Sequence, residues 1–455
     1  MDLNLDNYIF SKYNHKINLE GNLFLYNALS GGFCKVDSEH KNIFENNDLR
    51  SDLKDIEELP IDIIEELINA GFIIDKDLDE FKLIKSKNSL IRFSQNNSLS
   101  LTLIPTTGCN FRCVYCFEKD KNYPNEVMSE QVMDEIINLI DTSLSDGGNL
   151  SISWYGGEPL LRFDILKKLR IRIKNIVNKK NLNFNSGIVT NGYLLNKEIS
   201  DELVKLGVSN AQITIDGEKE VHDRKRFLAN GKGSFDKIIE NILSINEELS
   251  VAIRVNVDKE NIDNLSKFIN YINECGIGSK KNVGIYFAPV KNYDTNNINA
   301  SKMCYSVKDF SKEEIELNKI LYENGLEPWD NISPNLGICG ALSPNSFVIE
   351  PDGAIQKCWN LVGDKKSLCG HLIESEKYKN TILVNQSKWY SWSYFENEEC
   401  KNCSVLPLCM GGCPYHTINN DILKEKSCNC ITQKFNLEDT LKSIAYRYLE
   451  ENRAI

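Results

Sequence analysis

Thr107-Gly108-Cys109-Asn110-Phe111-Arg112-Cys113-Val114-Tyr115-Cys116-Phe117 sets three cysteines on one short loop in the spacing Cys-x3-Cys-x2-Cys. Three thiolates can hold three irons of a cubane cluster, whose ligation otherwise takes four cysteines, so one iron is left for another ligand. An open iron is a reaction site. A structural zinc site or a set of buried thiols would use the same residue type. Zinc sites, however, usually come as two Cys-x2-4-Cys pairs, and this loop offers only one.

The 455 residues exceed what one core normally serves, so two or three domains are expected. Hydrophobic residues at 41% and charged residues at 26% are ordinary for a globular chain and call for no disordered class. A formal net charge of -12 argues against nucleic acid or an anionic membrane surface as the main partner. The opening Met1-Asp2-Leu3-Asn4-Leu5-Asp6 lacks a basic start and an apolar core, and no run of about 18 apolar residues follows. A cytoplasmic protein is expected, neither secreted nor membrane-spanning. Fifteen cysteines in such a chain point to metal rather than disulfides, because cytosolic thiols stay reduced. Cys34, Cys275 and Cys304 stand alone and read as packing residues.

Outward from the cysteine loop, residues 99 to 289 alternate apolar strand and amphipathic helix. Strands are expected over 99–104, 150–155, 184–190, 211–215, 251–257 and 283–289. Between them run helical stripes such as Val132, Met133, Ile136, Ile137 and Ile140 after a Ser129 cap, and Ile165, Leu166, Leu169, Ile173, Ile176 and Val177. Six such units make an α/β chain, a partial (β/α)6 TIM-like barrel with right-handed crossovers. Function in such barrels collects at the carboxyl ends of the strands, and the Cys109 loop follows the first of them. Tyr155-Gly156-Gly157-Glu158-Pro159 follows the second, Thr190-Asn191-Gly192 the third and Asp216-Gly217 the fourth. The glycines permit close backbone approach to a ligand, and Glu158 is a carboxylate able to accept from an ammonium group.

Before the barrel, strands are expected over 15–20, 22–27 and 33–37, a helix from Ser38, a second helix over 60–70 with Pro60 at its first position, and a strand at 72–74 after Gly71. This is the pattern of a small winged-helix module, and a plain α+β cap would have the same periodicity. Beyond the barrel lies a second cysteine cluster: Cys339, then Gly353 and Cys358, then Cys400-x2-Cys403-x5-Cys409-x3-Cys413, and Cys428 and Cys430. By spacing alone, zinc would suit Cys400, Cys403, Cys409 and Cys413.

The Cys109 motif, with an aromatic before its third cysteine, resembles the radical S-adenosylmethionine superfamily. The resemblance implies that Cys109, Cys113 and Cys116 hold a 4Fe-4S cluster whose open iron is chelated by the methionine amine and carboxylate of S-adenosylmethionine. One electron then yields a 5'-deoxyadenosyl radical that takes a hydrogen from the substrate. It further implies S-adenosylmethionine contacts at Tyr115, Gly156, Gly157, Glu158, Thr190, Asn191, Asp216, Arg226, Arg254 and Asn256. Strand-end polar residues also cap helices, so each carries that second reading. His222-Asp223 recurs beside them without an evident role, and no catalytic acid or base is assigned.

The later cysteines resemble the SPASM extension with two auxiliary 4Fe-4S clusters, which makes three clusters in all. That likeness assigns Cys400, Cys403, Cys409 and Cys430 to an outer cluster and Cys339, Cys358 and Cys413 to an inner one. Sulfatase-maturing members carry another cysteine between the first two inner positions and an aspartate directly after the second. Here no cysteine intervenes and Trp359-Asn360 follows, leaving the fourth inner position open, or filled by Cys369, Cys428 or a substrate thiolate. Leu23-Phe24-Leu25-Tyr26-Asn27-Ala28-Leu29-Ser30-Gly31 and Leu67-Ile68-Asn69-Ala70-Gly71-Phe72 resemble the leader-peptide recognition element of enzymes that modify ribosomally made peptides.

Together these likenesses imply a winged-helix module over 1–90, the barrel over 95–300, a cysteine-rich SPASM domain over 330–440 and a terminal helix over 441–455. The implied activity is that of a sactipeptide- or ranthipeptide-type maturase, joining a peptide cysteine sulfur to carbon. The implied partners are a precursor peptide bound through its leader and a reductant such as flavodoxin or ferredoxin. The rivals are carbon-carbon cross-linking or another peptide oxidation, sulfatase-type maturation among them, and a non-catalytic iron-sulfur electron-transfer or peptide-binding protein.

Overall fold

The computed structural model describes residues 4–46, 48–50, 53, 56–116, 125–291, 303–330, 332–337, 339–418 and 430–453. Phe117 and Cys428 lie outside the described residues.

The amino-terminal strands follow from alternation. After β1 (Tyr8–Phe10), strands β2 (Asn14–Leu19), β3 (Asn22–Asn27) and β4 (Phe33–Val36) form an antiparallel sheet in the order β2-β3-β4. Glu20 and Gly21, both at positive φ (50° and 79°), make the two-residue turn that matches strand twist between β2 and β3. The first helix starts at Lys41 rather than Ser38. The second runs Ile61–Asn69, so Pro60 is its N-cap and not its first residue. Gly71, at φ 80°, ends that helix and leads into β5 (Ile73–Asp75), which pairs with β1.

Strand β3 is buried on both faces. Leu23 and Leu25 pack with Phe10, Ile43, Phe44, Ile64 and Phe72 in the module's own core. Phe24 and Tyr26, pointing the other way, pack with Leu406, Leu437, Leu441, Ala445 and Leu449 from the far end of the chain. The last four recur every fourth residue, which gives the helix Gln433–Arg453 one apolar stripe and starts it at 433 instead of the expected 441. The amino-terminal module and the cysteine-rich end therefore share a core.

Leu99, Leu101 and Leu103 alternate with Ser98, Ser100 and Thr102, and that period of two makes β6 (Ser98–Leu103). It heads six parallel strands with β7 (Asn149–Trp154), β8 (Asn183–Thr190), β9 (Asn210–Thr214), β10 (Ser250–Val257) and β11 (Val283–Pro289). Each begins within one residue of its expected position. Their apolar faces, Leu101, Ile152, Ile188, Ile213 and Ile253 among them, pack under helices Glu130–Ser143, Phe163–Lys179, Phe235–Ser244 and Leu265–Glu274. The opposite face carries Ser100, Thr102, Ser151, Ser153, Gln212 and Arg254, a polar lining.

The sheet does not stop at β6. Strand β12 (Ser346–Ile349) adds parallel to it, with Ser346 opposite Ser100, and β13 (Ala354–Gln356) and β14 (Gly370–His371) follow antiparallel. Among the described residues this makes one nine-stranded sheet that carries Cys358 as well as the Cys109 loop. Helix Glu80–Phe93 ties the two halves. Its buried Arg92 donates from Nε to Leu342 O (3.1 Å), from Nη1 to Trp392 O (2.9 Å) and from Nη2 to Trp389 O and Tyr390 O (both 2.9 Å). Three of these four acceptors lie at or beside the carboxyl end of helix Lys379–Ser391, where carbonyls lack intrahelical donors. Replacing Arg92 with alanine leaves four carbonyls unpaired in a dry junction, and the loss of stability should be roughly 2–4 kcal/mol. Denaturant unfolding checks this: a midpoint equal to that of the wild type would remove Arg92 as the tie.

Candidate active site at the carboxyl end of the sheet

The cysteine loop leaves β6 and is held like a strand. Arg112 N donates to Phe227 O (2.8 Å), Val114 N to Lys225 O (3.0 Å) and Ala229 N to Asn110 O (2.8 Å), so residues 110–114 run against 225–229. Phe111 N donates to Cys109 Sγ at 3.4 Å. Burial pushes the Cys109 thiol up to about 12, and Glu158, Cys113 and Cys116 add to the shift through their charge. The three thiols thus sit within electrostatic reach of one another. Three soft thiol donors on one loop suit a multi-iron cluster, and iron would hold them deprotonated against the effect of burial.

The Gly-Gly-Glu-Pro run packs directly onto this loop. Gly157 N donates to Thr106 O (3.3 Å) and Glu158 N to Gly108 O (2.9 Å). Gly156 lies at φ 124°, and a Cβ there would stand 2.6 Å from Thr106 O. A Cβ at Gly157 would stand 2.5 Å from Thr107 O and collide with Gly108 O. The close approach that the two glycines allow is therefore to the cysteine loop itself. Glu158 is fully buried. Its Oε1 accepts from Leu160 N (3.0 Å) and Thr190 Oγ1 (2.8 Å), and its Oε2 from Asn191 N (2.7 Å). Asn191 Nδ2 in turn donates to Asn110 Oδ1 in the cysteine loop (2.8 Å). The sequence makes Glu158 an acceptor for a ligand ammonium; in the structure its carboxylate serves three internal donors and joins the ends of β7 and β8. Burial raises its pKa, and the donors from Asn191, Leu160 and Thr190 oppose that.

Tyr115 gathers the remaining expected residues. Its hydroxyl donates to Asp216 Oδ2 and accepts from Arg226 Nη1 (2.9 Å) and Asn256 Nδ2 (3.0 Å). Arg254 Nε joins through Asn256 Oδ1 at 2.8 Å. Burial raises the Asp216 carboxyl while Arg226 and Tyr115 oppose the rise. Arg226 keeps its Nε buried with no hydrogen-bond partner among the described residues, an orphaned cationic donor electrostatically coupled to Cys113. Such an orphan fits an anionic ligand group beside the cluster loop.

The pair His222-Asp223 now has a structural role. His222 Nδ1 accepts from Asp216 N (3.3 Å), while its Nε2 lies 3.0 Å from Ser234 Oγ, which donates to Arg226 O (2.6 Å). Burial and the Arg226 charge hold His222 neutral, well below the ordinary histidine range. Asp223 Oδ1 accepts from Ser234 N (2.7 Å) and Phe235 N (2.9 Å) at the start of the next helix. Sequence reasoning missed Ser234, Asn261 and the buried ion pair Lys225–Asp258, which all brace this corner. The run His222-Asp223-Arg224-Lys225-Arg226 carried the only signal, a dense charge set facing a strand end.

In the carboxyl-terminal part, Cys400, Cys403 and Cys409 are electrostatically coupled, and Cys409 Sγ receives the N–H of Ile431, which brings the backbone of Cys430 beside it. Lys434 Nζ donates to Cys403 Sγ (3.3 Å). Cys339 is exposed and coupled to Cys413. Cys358, Cys369 and Cys413 share one apolar cluster with Leu342, Trp389 and Tyr415. The Cys369 thiol is buried, pushed up to about 12, and donates to Ser367 O (3.6 Å). Trp359, after Cys358, is 50% exposed and stacks on Tyr155 at 5.8 Å and 24°. It thereby links the Gly-Gly-Glu-Pro loop to the later cysteines.

Substituting Gly157 with alanine should push the two loops apart. We expect at least a tenfold loss in ligand binding at this site with little change in secondary structure, measured by equilibrium dialysis of S-adenosylmethionine and by circular dichroism. Unchanged binding would refute the packing argument.

The model of the Radical SAM superfamily matches residues 103–272, which include the cysteine loop and the Tyr115 network. The chain is 26% identical over 463 residues to the radical SAM cyclopropyl synthase TigE of Paramaledivibacter caminithermalis, covering 90% of each. It is 30% identical to the cysteine-type anaerobic sulfatase-maturating enzyme of Clostridium perfringens over 69% of this chain and 88% of that one. The structure of anSMEcpe with bound AdoMet and the Kp18Cys peptide shares the fold at TM-score 0.59 and 21% identity, covering 79% of this chain and all of that one (100%). Streptococcus suis SuiB bound to its precursor peptide SuiA does so at TM-score 0.51 and 16% identity, over 93% of this chain and 98% of that one. With identity of this order running across most of two curated relatives, and the family model lying on the strands that present the three thiols, the chain belongs to the radical S-adenosylmethionine superfamily of enzymes, among the relatives of its maturases.

Proposed function

We propose that this enzyme is a SPASM-type maturase that modifies a ribosomally made peptide and links a peptide cysteine sulfur to a carbon of another residue. The observation that carries the radical chemistry is the three-thiol loop docked between Glu158 and the Tyr115 network. Cys109, Cys113 and Cys116 would hold the cluster. The orphaned Arg226 Nε suits the methionine carboxylate of S-adenosylmethionine, and Tyr115, Asp216, Arg254 and Asn256 make up the polar wall beside it. Cluster and S-adenosylmethionine, when bound, would supply the radical that takes hydrogen from the peptide, with the electron coming from a one-electron donor of the flavodoxin or ferredoxin type. The chain's own residues hold and orient, and the buried Glu158 and His222 keep the loop ends fixed.

Two further cysteine sets support the auxiliary assignment: Cys400, Cys403, Cys409 and Cys430 for an outer cluster, Cys339, Cys358 and Cys413 for an inner one. The thioether reading draws on the inner set. Cys369 spends its thiol proton on Ser367 O, which suits a fourth inner position left for a substrate thiolate. Trp359, where sulfatase-maturing members have an aspartate, speaks against sulfatase-type maturation. Similarity to a cyclopropyl synthase over 90% of both chains favours a second reading, carbon-carbon closure on the peptide.

Both readings remove two hydrogens from the peptide, so mass alone does not separate them. Under the thioether reading, a precursor with its cysteines changed to serine should escape modification while 5'-deoxyadenosine still forms. Modification of the serine peptide would overturn the thioether and favour carbon-carbon closure. Changing Cys109, Cys113 and Cys116 together to alanine should abolish 5'-deoxyadenosine formation, and retained formation would sink the radical reading altogether.

The amino-terminal module suits leader recognition at one particular edge. Strand β2 packs against helix Gln433–Arg453, whereas β4 is the other edge of its sheet. An extended leader would add to β4 through main-chain hydrogen bonds. Deleting the module would strip the core shared with the carboxyl-terminal helix, so the test leaves the chain whole. Amides of residues 33–36 should exchange hydrogen at least tenfold more slowly when leader peptide is added. Unchanged exchange there would favour a plain structural cap.

A further inference from the structure

Lys357 is the residue directly before Cys358, and it is buried to 3% exposure. Its Nζ donates to Ser343 O (2.5 Å) and Ser346 O (2.6 Å), the carbonyls that follow the Cys339 turn. It lies over the rings of Phe347 (5.0 Å) and Tyr390 (5.3 Å). No carboxylate pairs with it among the described residues. The charged groups that act on it are the Cys369 and Cys339 thiols and the repelling guanidinium of Arg92, and burial brings its pKa down to about 8. A buried ammonium without a carboxylate is costly, and two carbonyls and two ring faces leave one of its three N–H groups unpaired and no full counter-charge beside it. A buried cation with a spare N–H beside thiols suits an anionic group.

We infer that Lys357 is the counter-charge of the inner auxiliary cluster, raising that cluster's reduction potential so that it accepts an electron more readily than the outer one. The inference rests on the inner-cluster assignment above. A cluster held by cysteine thiolates is anionic and gains a further negative charge on reduction, so a fixed cation nearby stabilises the reduced form more than the oxidised one. The outer set has Lys434 at Cys403, but that lysine sits at the surface, where solvent screens its charge. Lys357 acts through the cluster and is a positioning residue, not a catalytic one.

The experiment uses the full chain with Cys109, Cys113 and Cys116 changed to alanine, reconstituted anaerobically so that only auxiliary clusters remain. Iron is counted, and each cluster's midpoint is followed by electron paramagnetic resonance during a redox titration. Adding Cys339→Ala and Cys413→Ala identifies the inner signal; if iron and signal do not change, the inner-cluster assignment itself fails, separately from the role of Lys357. With the signal identified, Lys357→Met should move its midpoint to more negative potential with iron content unchanged, Lys357→Arg should keep it near the starting value, and the outer signal should not move. An unmoved inner midpoint in Lys357→Met with full iron overturns the inference. Should Lys357→Met lose iron, Lys357→Gln retains a donor for Ser343 and Ser346 without the charge. Iron lost from both Met and Gln variants but kept in Lys357→Arg again requires the charge, whereas loss from all three assigns Lys357 to packing alone and overturns the inference.

Discussion

Two backbones lie in contact at the centre of this enzyme, and much of the site depends on that contact. The Gly156-Gly157 segment rests on the carbonyls of Thr106, Thr107 and Gly108 so closely that neither position tolerates a Cβ. The loop that carries the three thiols is thereby held from one side by the end of β7 and from the other by residues 225–229. Glu158 completes the clamp by collecting three donors from the ends of β7 and β8 into one buried carboxylate. A soft, multi-iron cofactor gains from such a rigid cradle, because its ligands must be presented together without being able to collapse on one another.

Buried polar groups in this region form chains, not isolated pairs. Tyr115 joins Asp216, Arg226 and Asn256; Asp216 reaches His222; His222 reaches Ser234; and Ser234 returns to the Arg226 carbonyl. Each member offsets the desolvation of the next, so the network is stable only as a whole. Arg226 Nε, which has no partner among the described residues, and the Lys357 ammonium, which has two carbonyls and no carboxylate, both act on cysteine thiols through their charge. Fully paired groups build the frame, and an incompletely paired cation beside thiols suits an anionic ligand.

The chain's three regions are mechanically one. Strands β12 to β14 extend the barrel sheet into the cysteine-rich region, β3 is shared between two cores, and Arg92 holds a helix end about 300 residues away. The Tyr155–Trp359 stack spans the same boundary at the reactive end.

Much of this could be read from local pattern. Alternation such as Leu99-Ser100-Leu101-Thr102-Leu103 specifies a strand because side chains alternate across a pleat whatever lies on either face, and six strand starts follow to within one residue. Cysteine spacing specifies a ligand loop because the chain's reach fixes how far apart neighbouring thiols can stand. The amino-terminal strands and the Gly71 stop are equally local. What only the tertiary structure decided are pairings between residues far apart in sequence: that Glu158 serves internal donors, that His222-Asp223 braces Ser234, that β3 buries both faces, and that Pro60 precedes its helix while Gln433–Arg453 begins eight residues before 441. Arg92 and Lys357 look like ordinary surface cations in the sequence. Their meaning comes from carbonyls and thiols that reach them only after folding, because local periodicity records how often a side chain faces inward and not which polar group it meets there.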